Sequence, residues 1–260
     1  MSEGGGPRAP NVDPALLKAV ERLLRGERPY DDAGEEETGS GHGGEAGSES
    51  VAPTTPIQQQ EAAVPTLETG TPYPLVTPRR YLVRERAAEE RSEYFDGHVV
   101  AMAGGTTVHA DIAQNIGSHL YFRVRGGCRV YQNDVKVQAA DANAYTYPDV
   151  FVLCGEPRYI DRRHDVVTNP TVVFEVLSPG TERHDRTVKA AAYRAVASLA
   201  AYVLVSQKEP RVEVYTRGEG GGEWACTVYQ RLEHEVPLPA LGCHLAVAEI
   251  YRNLFPAPPA

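Results

Sequence analysis

Two carboxylates set into strongly β-prone apolar runs constrain this chain more than any other feature. Asp149 stands in Tyr147-Pro148-Asp149-Val150-Phe151-Val152-Leu153, and Glu175 in Thr171-Val172-Val173-Phe174-Glu175-Val176-Leu177-Ser178-Pro179. Runs of this kind form buried or half-buried strands. An unpaired charge buried there costs several kcal/mol. Two such charges on neighbouring strands also repel, unless a cation sits between them. The pair therefore points to a divalent metal site, with oxygen ligands suited to Mg²⁺ or Mn²⁺.

Downstream lies Glu182-Arg183-His184-Asp185-Arg186-Thr187-Val188-Lys189-Ala190-Ala191-Ala192-Tyr193-Arg194. Its alanine content and apolar spacing predict an amphipathic helix. Lys189 follows Asp185 by four residues, so both project from one face. A helix packed directly after the Glu175 strand would let Lys189 reach back toward the carboxylates. A metal, two carboxylates and an ammonium suit phosphodiester hydrolysis: the metal lowers the pKa of a bound water, and the lysine positions or stabilises the nucleophile.

At these residues the chain resembles the PD-(D/E)XK nuclease superfamily and, more narrowly, the Uma-two family of candidate restriction endonucleases. The resemblance runs from about Thr77 to Leu254. It is carried by Ser92-Glu93-Tyr94-Phe95-Asp96-Gly97, Ala101-Met102-Ala103-Gly104-Gly105, His109, Asn133-Asp134-Val135-Lys136-Val137, Tyr147-Pro148-Asp149 and Glu175-Val176-Leu177-Ser178-Pro179. It implies a metal-dependent endonuclease acting on DNA. Asp149 and Glu175 would be the metal ligands, with Val176 lending a backbone carbonyl and Lys189 assisting the attacking water. One departure stands out. The superfamily's Glu-x-Lys would put lysine at position 177, where this chain has Leu177. The resemblance then implies a lysine moved to the following helix, and Lys189 is the candidate.

Each of these residues also has a structural reading. Asp149 could cap a turn or pair with an arginine, and Glu175 could pair with Arg183 or Arg186. Asp185 could orient Lys189 or stabilise a first helical turn rather than bind metal. Glu93 beside a hairpin and His109 at a helix start match family positions, yet both are ordinary surface features. Asp134 and Lys136 share one strand face but precede the Pro-Asp, the wrong order for the motif. Asp134 is read as close to the site, and Lys136 as a phosphate contact or a solvent-facing strand residue.

The net charge of −9 divides unevenly. Residues 1–70 hold 13 Asp and Glu against 5 Lys and Arg, and residues 71–260 hold 22 against 21. The folded part is thus nearly neutral and lacks the overall basic charge of many nucleic-acid binders. Local arginine clusters could still grip phosphates, with Arg123, Arg125 and Arg129 as one candidate and Arg183 with Arg186 as another. The four cysteines, Cys128, Cys154, Cys226 and Cys243, form no metal-type Cys-x-x-Cys. They are expected as reduced, mostly buried thiols of a cytoplasmic protein. Neither a membrane span nor a signal peptide is predicted.

Three regions are expected. Residues 1–32 carry a short amphipathic helix after Asp13-Pro14, 33–70 form a disordered acidic linker rich in Gly, Ser, Glu and Pro, and 71–260 form the nuclease-like domain. That domain should open with a helix near Pro78 to Arg91, then a hairpin turning at Asp96-Gly97. A helix at Thr107 to Arg125 should follow, then strands at Cys128 to Ala139, Tyr147 to Cys154 and Thr171 to Leu177. Beyond the Lys189 helix come strands at Ala201 to Ser206, Val212 to Thr216 and Trp224 to Tyr229. The expected fold is α+β, a restriction-endonuclease-like mixed central sheet flanked by helices. The expected partner is DNA, and a homodimer is compatible with the sequence. The alternative is a catalytically inactive module of the same fold that binds nucleic acid or protein.

Overall fold

The computed structural model describes residues 75–255, except 103, 125, 140–142 and 219–222. The expected helix after Asp13-Pro14 and the acidic linker lie outside the described residues. Helix α1 (Pro78–Glu85) leads to strands β1 (Ser92–Phe95) and β2 (His98–Ala101). Their hairpin turns where expected: Asp96 and Gly97 take φ of 46° and 90°, the left-handed pair that a two-residue turn between twisted strands requires. Helix α2 (Thr107–Arg123) follows, then β3 (Cys128–Gln132), β4 (Lys136–Ala139), β5 (Ala144–Thr146), β6 (Val150–Cys154), β7 (Val166–Val167) and β8 (Val172–Leu177). Helix α3 is composite, running through Glu182–His184, one π turn at Asp185–Lys189, and Ala190–Arg194. Strands β9 (Ala201–Ser206), β10 (Val212–Arg217), β11 (Trp224–Tyr229), β12 (Glu235–Leu238) and β13 (Cys243–Ala246) precede a short helix α4 (Val247–Ile250).

The fold is α+β, but its strands do not form one central sheet. Among the described residues they form a six-stranded sheet ordered β11-β10-β9-β8-β6-β3, a five-stranded sheet ordered β2-β1-β5-β4-β7, and a β12-β13 hairpin. The single strand expected from Cys128 to Ala139 is two strands in different sheets. Asn133, at φ 51°, turns the chain between them. The strand expected from Tyr147 starts only at Val150: residues 147–149 link β5, in the five-stranded sheet, to β6, in the six-stranded one. Pro148, which has no N–H for a ladder, stands in the break. Asp149 therefore sits where the chain crosses from one sheet to the other.

Alternation along β8 sets what each residue faces. Val172, Phe174 and Val176 join Ile112, Ala113, Ile116 and Leu120 of α2 in one core. Val173 and Leu177 join Val188, Ala192 and Tyr193 of α3, together with Phe95, Val137 and Ala144 of the other sheet. Glu175 shares the parity of this second group, so it enters the layer between α3 and the five-stranded sheet. β8 and β9 are parallel neighbours and α3 is the crossover between them. This connection packs α3 directly over Glu175.

The cysteine expectation fails at one pair. Cys128 and Cys154 lie opposite each other in the β3·β6 register and are joined as a disulfide, because that pairing brings their Cα atoms within 3.9 Å. Cys226 and Cys243 are free, and Cys226 is exposed rather than buried.

Candidate active site

Three elements, α3, β1 and β8, meet at Lys189. The π turn widens α3 by one residue, so that Ala190 N–H donates to Asp185 O, and Tyr202 also donates to that carbonyl at 3.0 Å. Such turns are costly and concentrate at functional sites. Here the turn aims both Asp185 and Lys189 inward, where they are 2% and 6% exposed. Lys189 Nζ lies 3.1 Å from Glu175 Oε1, 3.0 Å from Glu93 Oε1 and 3.5 Å from Asp185 Oδ1. Glu93 comes from β1, placed by the hairpin, and also accepts the Tyr147 N–H at 3.0 Å. Tyr193 donates to Glu175 Oε1 at 3.1 Å, its own hydroxyl lying 2.8 Å from Thr146 Oγ1.

Asp149 borders this cluster. Its Oδ2 accepts the Val176 N–H at 2.7 Å and lies 3.2 Å from His109 Nε2. His109 is set by the N-cap of α2, where Thr106 Oγ1 accepts the His109 N–H at 3.2 Å. The hydrogen bond to Asp149 raises the His109 pKa, against the opposing effect of burial.

The charge balance is lopsided. Glu93, Glu175 and Asp185 share one ammonium, with Asp149 beside them. Burial raises the carboxyl pKa of all three sharing residues, Glu175 well above its ordinary value, against the pull of Lys189. The charge of Asp149 raises Glu175 further. Burial alone would lower Lys189, but Glu175, Glu93 and Asp185 together hold it well above normal, so it stays charged. His184, buried near Lys189, falls to about 4 and is neutral.

These groups fit a hard divalent cation. All candidate donors are oxygens. Asp149 Oδ1 and Glu175 Oε2 accept no hydrogen bond among the described residues, and Asp185 Oδ1 is buried without one. No three His, Cys, Asp or Glu among the described residues are already gathered as a cage. Two carboxylates with the remaining positions filled by water is an ordinary arrangement for Mg²⁺.

The structure thus brings Glu93, His109, Asp149, Glu175, Asp185 and Lys189 together and leaves Asp134 out. Asp134 is 74% exposed and pairs with Arg91 at the surface. Lys136 is neither solvent-facing nor free: it is buried, 3.0 Å from the Tyr147 hydroxyl and 3.7 Å from Asp165. Glu175 pairs with neither Arg183 nor Arg186, because Arg186 is held by Glu182 and Glu213. Tyr193 escaped the sequence reading. The signal was its position four residues beyond Lys189, on the same helical face.

Comparison with known proteins places this chain in a family. Residues 78–248 match the Uma2 family model, described as "Putative restriction endonuclease". The uncharacterized protein slr1290 of Synechocystis sp. is 36% identical over 187 residues, covering 71% of this chain and 96% of that protein. The uncharacterized protein sll1609 of the same organism is 33% identical over 156 residues, 59% of this chain and 86% of the relative. A crystal structure from Anabaena variabilis, described as a "putative nuclease belonging to DUF820", superposes with a TM-score of 0.54 at 18% identity. It covers 68% of this chain and 97% of that one, and at this identity it speaks for the fold alone. The chain belongs to the Uma2 family.

Proposed function

We propose that the protein is a divalent-metal-dependent endonuclease that hydrolyses phosphodiester bonds of DNA. The observation that carries this reading is the reach of Lys189. Leu177 occupies the place of the superfamily lysine, yet an ammonium from the next helix stands 3.1 Å from Glu175. A long side chain can deliver its charge from more than one backbone position.

Asp149 and Glu175 would hold Mg²⁺ or Mn²⁺ through their uncommitted oxygens. The bound ion would supply a water of lowered pKa and positive charge toward the phosphate. Lys189, fixed by Glu93 and Asp185, keeps its proton and directs positive charge to where the attacking oxygen and the phosphoryl oxygens gather negative charge. Tyr193 and the Val176 N–H hold the two carboxylates in place, and His109 orients Asp149.

The test is cleavage of plasmid and linear DNA with Mg²⁺ or Mn²⁺, run beside calorimetric metal titration, for wild type and Asp149→Asn. The amide oxygen can still accept the Val176 N–H, so the variant should fold. Wild type should cut only with metal, and the variant should lose metal affinity and at least about a hundredfold in rate. Metal affinity unchanged in the variant would remove Asp149 as a ligand. DNA binding without metal-dependent cleavage by wild type would leave a binding module of nuclease fold.

A further inference from the structure

The connection between β6 and β7 has a charge balance that its sequence conceals. Arg158, Arg162 and Arg163 follow Glu156 and are interleaved with Asp161 and Asp165, which reads as a neutral turn. The fold separates the signs. Arg86, immediately after α1, takes both aspartates: its Nε and Nη2 donate to Asp165 at 2.9 and 2.7 Å, and Nη2 also donates to Asp161 at 2.7 Å. Arg158, Arg162 and Arg163 are left exposed, and their side chains have no ion-pair partner among the described residues. Arg79, Arg80 and Arg84 of α1, the helix that leads into the clamp, are also exposed and have no ion-pair partner among the described residues.

The backbone that carries those arginines is tied down. The Arg158 N–H donates to Asn169 Oδ1 at 2.8 Å, and Thr168 N–H donates back to Arg158 O at 2.9 Å. Tyr159 bridges to Val167 and stacks on His164 with ring centroids 4.4 Å apart. The Arg163 N–H donates to Asp161 Oδ1 at 2.9 Å. The loop also connects to the site. Asp165 lies 3.7 Å from Lys136, Lys136 donates to the Tyr147 hydroxyl, and the Tyr147 N–H donates to Glu93 beside Lys189. Exposed guanidiniums on a braced backbone, with no acceptor among the described residues, are suited to phosphate oxygens, which they meet in two-pronged hydrogen bonds.

We propose that the Arg158–Asp165 loop, braced by Arg86, is a phosphate-gripping arm that binds the backbone of duplex DNA. This rests on the nuclease reading and gives a nearly neutral domain a local route to a polyanion. Contacts of this kind fix register and orientation without reading sequence.

The test measures binding of a labelled duplex DNA by fluorescence anisotropy in EDTA, over a range of salt, so that cleavage plays no part. It compares wild type with Arg158→Ala/Arg162→Ala/Arg163→Ala and with a charge-matched control, Lys208→Ala/Arg231→Ala/Arg252→Ala. The loop variant should bind at least about tenfold more weakly at low salt, and its slope of log affinity against log salt should be shallower by about 3. The control should keep the wild-type slope, and thermal melting should be unchanged, since the loop arginines have no internal partner. An unchanged slope in the loop variant, an equal change in the control, or no duplex binding by wild type would each overturn the proposal. Loop-dependent binding of duplex RNA in preference to DNA would overturn the assignment to DNA. Cleavage by wild type together with an unchanged slope would sink the arm and leave the nuclease standing. Loop-dependent binding without any cleavage would do the reverse.

Discussion

Glu175 and Glu213 occupy the same row of the six-stranded sheet, one on each side of Leu204 in β9. Both are buried, at 3% and 4% exposure, and both meet cations from the π turn of α3. Their surroundings differ in the number of positive charges. Glu213 accepts hydrogen bonds from Arg186 at 2.7 and 3.1 Å, from Arg211 at 2.8 Å and from the Tyr215 hydroxyl at 3.2 Å. Burial would raise its pKa, but the two guanidiniums bring it down to about 2. Glu175 shares a single ammonium with Glu93 and Asp185, and its pKa goes the other way. One residue type in one row thus serves two purposes. Two cations on one carboxylate make a stable tie between β10 and α3, while three carboxylates on one cation make a place short of positive charge. Such a deficit is poor for stability and well suited to receiving a metal ion.

Removing the shared cation should have the largest effect. Lys189→Ala should cut single-turnover DNA cleavage by at least about a hundredfold while metal binding, followed by calorimetry, survives through Asp149 and Glu175. Lys189→Arg should rescue poorly, because a planar guanidinium does not place a compact charge at the same point. Cleavage untouched by Lys189→Ala would reduce the cluster to a structural ion pair.

The two glutamates should respond with opposite sign to the same change. Glu213→Gln should destabilise the metal-free protein by about 2 kcal/mol, since charge-assisted hydrogen bonds are lost. Glu175→Gln should leave metal-free stability unchanged or improve it, because burial and the neighbouring carboxylates already oppose the Glu175 charge. It should also abolish the stabilisation that Mg²⁺ or Mn²⁺ gives wild type by mass action. Urea denaturation with and without metal reads both. Equal destabilisation by the two variants would erase the distinction drawn here.

The smallest effect is a pH dependence with two limbs. Glu213 is depressed from an ordinary 4.5 to about 2, so its contribution is complete above about pH 4.5 and is lost as pH falls toward about 2. Glu175 and Glu93 are raised, so the folded protein holds protons that the unfolded chain releases above its ordinary carboxyl value. Stability of the metal-free protein should therefore decline as pH rises from about 4.5. Mg²⁺ should flatten that upper limb and leave the acid limb unchanged. Glu213→Gln should do the reverse. Denaturation midpoints between pH 3 and 8 would show whether the limbs separate in this way.

Much of this was legible in the chain. Alternating and β-branched runs placed β6, β8, β9, β10 and β11, the Asp96-Gly97 pair placed the first hairpin, and apolar spacing placed α2 and α3. These signals are local, fixed by what a residue and its near neighbours can bury or turn. The same locality made Asp149, Glu175 and Lys189 stand out, since charges inside apolar runs need partners. The tertiary structure decided the rest. It split one expected strand at Asn133 between two sheets, delayed another to Val150 beyond Pro148, joined Cys128 to Cys154 by strand register, and turned Asp134 outward to Arg91. It gave Arg186 to Glu213 and Lys189 to Glu175, although both cations lie within four residues of each other on one helix. A π turn and the crossover to β9 made that choice. Which charge meets which depends on the path of the backbone across strands, and the sequence states only which charges there are.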